Sequence, residues 1–181
     1  MKPDEFFIQQ VDPSDCSYFS PGKFCVVHST GGDPAYRTYK YLPDVCQALR
    51  IEGMKTVQVG GRNDYPAGAD IDLRGLLSFR ETAWVMARAT VAVTVDSFIS
   101  HLAGALGISQ VCLFGSGNAN VVKPNQVKGR LICMEPDYIR HCKFLGPCSA
   151  SVRDCAAKCT GVHDPKDIVK NVLSLLEDNH S

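Results

Sequence analysis

Val91-Ala-Val-Thr-Val95 is a continuous run of apolar and β-branched residues, and Asp96-Ser97-Phe98-Ile99-Ser100-His101 follows it without a spacer. Such a run reads as a strand covered on both faces. Asp96 or Ser97 can cap a helix, and Leu102-Ala-Gly-Ala-Leu-Gly107 supplies helix formers ending in a glycine. The chain therefore turns straight from strand into helix. From Val91 to Phe114 there is room for one right-handed crossover between parallel strands. Ser97 and His101 stand four apart on that helix's first turn, where unpaired N–H groups and the helix dipole attract anions.

The same alternation recurs along the chain. Phe24–His28 reads as a strand ending in the loop Ser29-Thr-Gly-Gly-Asp33. Tyr41, Leu42, Val45, Leu49 and Ile51 fall at helical intervals, with Pro43 in the first turn and Gly53 closing the helix. Thr56–Val59 is a strand ending in Gly60-Gly-Arg-Asn-Asp64, and Ile71–Leu73 is a short one. Ser78 and Glu81 have capping-box spacing before the apolar face of Trp84, Val85 and Ala87. Gln110–Phe114 and Leu131–Met134 are further strands, and Asp164-Pro165 opens a last helix with Ile168, Val169, Val172, Leu175 and Leu176 on one face. This pattern predicts an α/β, Rossmann-like, mainly parallel sheet with helices on both faces and ligands at the strand ends. Residues 1–22, rich in Pro, Ser and Asp, read as a linker or arm, leaving 23–181 as the domain, with a Cys-rich loop over 142–159.

Composition narrows the function classes. Lys plus Arg and Asp plus Glu are both 19, so the formal charge is zero, which argues against a nucleic-acid partner. No apolar stretch is long enough to span a bilayer, and the N-terminal residues lack a signal peptide's apolar centre. The odd count of nine cysteines in a chain of this size points to a reducing, cytoplasmic location.

Ser29-Thr30-Gly31-Gly32 offers two hydroxyls and flexible N–H groups of the kind that wrap a phosphate, although a glycine pair after a strand is also an ordinary turn. Neither a Walker loop nor Gly-x-Gly-x-x-Gly follows, so no dinucleotide cofactor is expected. His101 reads equally as a structural residue or as an anion contact. Asp96 alone reads as a cap, Leu77 alone as core, and Arg37 with Lys40 as a solvated pair or as counter-charges for a diphosphate. Cys142, Cys148, Cys155 and Cys159 are spaced by five, six and three residues. That is too open for CxxC pairs, and a metal, disulfides and buried thiols all remain open. No Ser–His–Asp set and no carboxylate pair is legible as a catalytic constellation.

The succession Asp72-Leu-Arg-Gly75, Leu77-Ser-Phe-Arg-Glu81, Ala87-Arg-Ala89, Val95-Asp96-Ser97, His101-Leu-Ala-Gly-Ala-Leu-Gly107 and Val111-Cys-Leu-Phe-Gly115 resembles the C-terminal half of the ADP-heptose:lipopolysaccharide heptosyltransferase family. His28-Ser29-Thr30 and the late Cys-rich loop resemble it too, so the likeness runs from about residue 23 to 175. It implies one half of a GT-B glycosyltransferase, binding a nucleotide-diphosphate sugar (an ADP-sugar by resemblance) without an essential metal. Ser29 and Thr30 would face the phosphates, Leu77 would pack near the nucleoside, and Asn63 or Asp64 would approach it. Asp96, Ser97 and His101 would surround the diphosphate and sugar. Transfer would invert the anomeric centre. The family's catalytic base lies in its acceptor half, so no catalytic residue is expected here. The resemblance therefore implies a donor-binding domain of lipopolysaccharide biosynthesis that needs an acceptor-domain partner, the alternative being a non-catalytic nucleotide-binding module or subunit. Phe98 stands where the family pattern usually has glycine.

Overall fold

A computed structural model describes residues 24–32, 34, 37–115, 118–136 and 160–177. Strands β1 (Phe24–Val27), β2 (Lys55–Gln58), β3 (Ile71–Asp72), β4 (Val91–Val95), β5 (Gln110–Leu113) and β6 (Leu131–Met134) form one sheet in the order β3-β2-β1-β4-β5-β6. Every pairing is parallel, with Val26 opposite both Val57 and Ala92 at the centre. The helices are α1 (Leu42–Ile51), α2 (Phe79–Met86), α3 (Phe98–Leu106), α4 (Ala119–Val122) and α5 (Pro165–Glu177).

Side chains alternate across a strand, so a strand buried on both faces feeds two cores. Cys25, Val27, Val91, Val93, Val95, Val111 and Leu113 pack with Leu42, Val45 and Leu49 of α1 and Ile168, Val172 and Leu175 of α5. Phe24, Val26, Val57 and Ala92 point the other way, against Val85 and Met86 of α2 and Ile99 and Ala103 of α3. The expected α/β sandwich is thus observed, with helices on both faces.

The local signals act as their chemistry requires. Ser78 and Glu81 close a capping box on α2, and Pro43 lies in the first turn of α1. Gly107 ends α3 with φ 75°, a left-handed conformation that suits a residue without Cβ. Helix α4 has no periodic pattern to betray it. Its single turn is fixed by the Asn118 side chain, which accepts the Asn120 N–H at 2.9 Å, and by Glu135, which accepts the Ala119 N–H at 2.7 Å. A long-range tie closes one end of the sheet: the buried Tyr39 hydroxyl donates to the His163 carbonyl at 2.8 Å, and His163 Nε2 lies 2.8 Å from the Phe114 carbonyl. Among the described residues no helix is long and apolar enough to cross a membrane. The 1–22 arm and the 142–159 loop lie outside the described residues.

Candidate functional site

From β1 the chain builds outward through β2 and β3, whereas from β4 it builds the opposite way through β5 and β6. The connections leaving β1 and β4 therefore diverge, and a crevice opens beyond their C-terminal ends. Three segments meet there: His28–Gly31 after β1, Gly60–Asp64 after β2, and Asp96-Ser97 between β4 and α3.

Ser97, not Asp96, is the cap of α3. Its backbone is extended, its Oγ accepts the Ile99 N–H at 3.2 Å, and Ser100 Oγ accepts the Ser97 N–H at 3.3 Å. Asp96 is left to face Arg37, whose Nη1 is 3.4 Å from Oδ2. The loop after β1 brings Arg37 there by doubling back: the Gly31 N–H donates to the Arg37 carbonyl and the Tyr39 N–H to the Ser29 carbonyl, both at 2.9 Å. Gly31 is required by this close approach, since a Cβ would sit 2.7 Å from the Asp96 carbonyl oxygen and 2.8 Å from Arg37 Cβ.

His28 joins the other two segments. Its Nδ1 lies 3.2 Å from Ser97 Oγ, and its Nε2 lies 3.3 Å from Asp64 Oδ2. Asp64 Oδ2 also accepts the Gly61 N–H at 2.9 Å, and the Asp64 backbone carbonyl accepts from Arg74 Nη1. Arg74 hydrogen-bonds the Asp72 carboxylate at 2.6 Å and holds that carboxyl below its ordinary range. The site thus brings together an aspartate, a histidine and a serine that the sequence did not reveal as a set. His28 was visible as the polar end of an apolar strand and as part of the His28-Ser29-Thr30 likeness, and sequence spacing gave no sign of its partners.

The remaining sequence-derived residues are distributed as follows. Ser29 is wholly buried, and its hydroxyl donates to the Tyr65 carbonyl at 2.6 Å. Thr30 Oγ1 accepts the Tyr65 N–H at 3.0 Å. Asn63 is exposed on the β2 loop, Leu77 is partly buried against the α2–α3 core, and His101 is exposed on α3. Lys40 is exposed. Phe98 is half-exposed, with its ring against Phe79 at a centroid distance of 4.7 Å. Burial pushes the Cys112 thiol up to about 12, so it is held as an unreactive core thiol. Cys142, Cys148, Cys155 and Cys159 lie outside the described residues.

Residues 55–144 match the family model of glycosyltransferase family 9 (heptosyltransferase). That stretch, just under half of the chain, is similar to this family. No curated protein matches significantly. Among solved structures, the chain is similar to the ADP-heptose lipopolysaccharide heptosyltransferase II of E. coli, with a TM-score of 0.66 and 16% identity over 95% of this chain and 54% of that one. A glycosyl transferase family 9 protein from Veillonella parvula gives 0.66 and 18% over 98% of this chain and 51% of that one. The iron-containing dodecameric heptosyltransferase TibC of enterotoxigenic E. coli, solved with ADP-D-β-D-heptose, gives 0.66 and 17% over 86% and 46%. At these identities the likeness is one of fold: the six-stranded parallel sheet and its helices match heptosyltransferase architecture. The chain spans about half the length of these solved relatives.

Proposed function

We propose that this chain binds a nucleoside-diphosphate sugar in the crevice between β1 and β4, as the donor-binding half of a heptosyltransferase-like inverting glycosyltransferase. The observation carrying the proposal is the meeting of the Ser97-capped start of α3 with the β1 and β2 loops, within and beside the family 9 segment. A helix start presents N–H groups and a positive dipole end, suited to the charge that grows on a leaving diphosphate. Asp96, Ser97 and His101 are assigned to the diphosphate and sugar, Leu77 to the nucleoside, and Asn63 or Asp64 to its polar edge. The Ser29 and Thr30 hydroxyls are engaged with the Tyr65 backbone, so they act on the phosphates by holding their loop. TibC was solved with an ADP-linked heptose, which makes ADP the first nucleotide to test. A cytoplasmic location and a role in lipopolysaccharide assembly accord with such a donor, and transfer would need an acceptor-binding domain that supplies the base.

The test is a thermal-shift and calorimetric panel of ADP, UDP, GDP and their sugars on wild type and His101→Ala. At a ligand concentration of about 100 Kd the folded state gains about 2.7 kcal/mol. At roughly 2–4 °C per kcal/mol for a chain of this size, Tm should rise by roughly 5–10 °C, and the variant should lose much of the gain. No shift with any of these ligands overturns the donor-site reading. Binding without sugar transfer, in the presence of an acceptor domain, would make the chain a non-catalytic module.

A further inference from the structure

We propose that His28 is a positioning residue of this site, taking up a proton as a diphosphate is held at the start of α3 and thereby freeing the Ser97 hydroxyl to face the ligand. The inference rests on the donor-site reading above. Its physical basis is the proton and lone-pair capacity of three side chains in contact.

A serine hydroxyl has one proton to donate and two lone pairs. One lone pair of Ser97 accepts the Ile99 N–H at 3.2 Å, and His28 Nδ1 stands 3.2 Å away on another side. On the opposite edge of the ring, Nε2 faces Asp64 Oδ2 at 3.3 Å. A carboxylate accepts only, so the tautomer with its proton on Nε2 is the one that faces Asp64 without lone-pair repulsion. Two states of the trio remain. With a neutral imidazole, Nδ1 is an acceptor and the Ser97 O–H turns inward to satisfy it, leaving no proton for a ligand. With an imidazolium, Nδ1–H donates to Ser97, both hydroxyl lone pairs are filled, and the O–H is free to turn outward. An anion beside Ser97 needs the second state.

The surroundings suit that exchange. His28 and Ser97 are buried, at 5% and 9% exposure, so an added charge there is poorly screened by solvent. From the β2 loop, Asp64 faces the ring as a counter-charge and is held by the Gly61 N–H. From the β4–α3 turn, Asp96 is engaged by Arg37 of the β1 loop. Beyond β3, Arg74 is engaged by Asp72 and by the Asp64 carbonyl. His101, on α3 itself, is exposed and is the other imidazole assigned to this ligand, so its share of any uptake is read separately. Gly60 makes the trio possible, since a Cβ there would meet Asp64 Oδ2 at 2.1 Å and His28 Cδ2 at 3.0 Å.

Calorimetric titration of the wild-type chain with ADP-glucose tests the inference. The diphosphate of a nucleotide sugar stays ionised through the range where imidazoles titrate. Heats measured in buffers of different ionisation enthalpy give the protons exchanged. Uptake should approach about one proton per ligand on the alkaline side, with affinity falling as pH rises, by at most about tenfold per pH unit. His28→Gln should abolish the uptake, and Asp64→Asn should move it to lower pH. His101→Gln should weaken binding and leave the uptake in place. Binding with no proton exchange and a flat affinity–pH profile overturns this proposal while leaving the donor site standing. So does uptake that survives His28→Gln and vanishes in His101→Gln. Failure of every nucleotide sugar to bind at any pH overturns the donor-site reading and this proposal together.

Discussion

Gly60→Ala should be among the costliest single-methyl additions in the chain. The residue has φ +139°, where an L side chain is strained by about 1–3 kcal/mol. The new Cβ would also lie 2.1 Å from Asp64 Oδ2, so the carboxylate must leave its place. Leaving breaks its contacts with the Gly61 N–H and with His28, at 2.9 and 3.3 Å. Because the Asp64 side chain is 15% exposed, these contacts are partly screened and contribute about 1 kcal/mol together. The sum is about 2–4 kcal/mol, or roughly 5–12 °C in Tm. Urea unfolding of four proteins (wild type, Gly60→Ala, Asp64→Ala and the double variant) separates the two causes. Without the Asp64 carboxylate the backbone strain and the 3.0 Å approach to His28 Cδ2 remain, so the alanine should cost about 1 kcal/mol less in that background. A Gly60→Ala protein within about 0.5 kcal/mol of wild type, or an equal cost in both backgrounds, refutes the reasoning.

Ser97→Ala removes both the α3 cap and the partner of His28 Nδ1, and should lower unfolding free energy by about 1–2 kcal/mol in urea titrations. Tyr39→Phe deletes the donor to the His163 carbonyl, and should cost about 1 kcal/mol, visible as a lower Tm without a change in the denaturant slope. Burial pushes the His163 imidazole below its ordinary value, against the Phe114 carbonyl, which favours the charged form. The unfolded chain therefore binds a proton there that the folded chain refuses, and stability falls as pH drops below about 6.5. Urea midpoints at about pH 7.5 and 5.5 should diverge less in His163→Gln than in wild type.

The strand–helix alternation was legible because short β-branched runs, buried on both faces, recur between helical periods bounded by caps and glycines. Val91–Val95 is the plainest instance, and the Ser78–Glu81 capping box and Gly107 stop were equally local. Helix α4 was not, because one turn set by Asn118 and Glu135 has no period. Within the site, Ser97 and His101 stood out through their helical spacing, whereas Arg37, paired with Lys40, read first as a solvated charge. Whether Asp96 or Ser97 caps α3 was undecided by residue type, since both are good caps. The fold decides it by placing Arg37 beside Asp96. His28 and Asp64 could not be paired from sequence at all. Only the neighbouring of β2, β1 and β4 in the sheet brings their loops together.

Recognition and folding draw different borders on this chain. The family match covers residues 55–144, yet β1 lies before it and α5 after it. Strand β1 is the member that β2 and β4 each pair with, and α5 lays Ile168, Val172 and Leu175 on the sheet. A polypeptide trimmed to the recognisable part would keep Asp64 and Ser97 but lose His28. It would also split the sheet down its middle, leaving two raw inner edges and an uncovered apolar face, the recipe for self-association. The segment that most clearly declares ancestry is thus the one least able to stand alone.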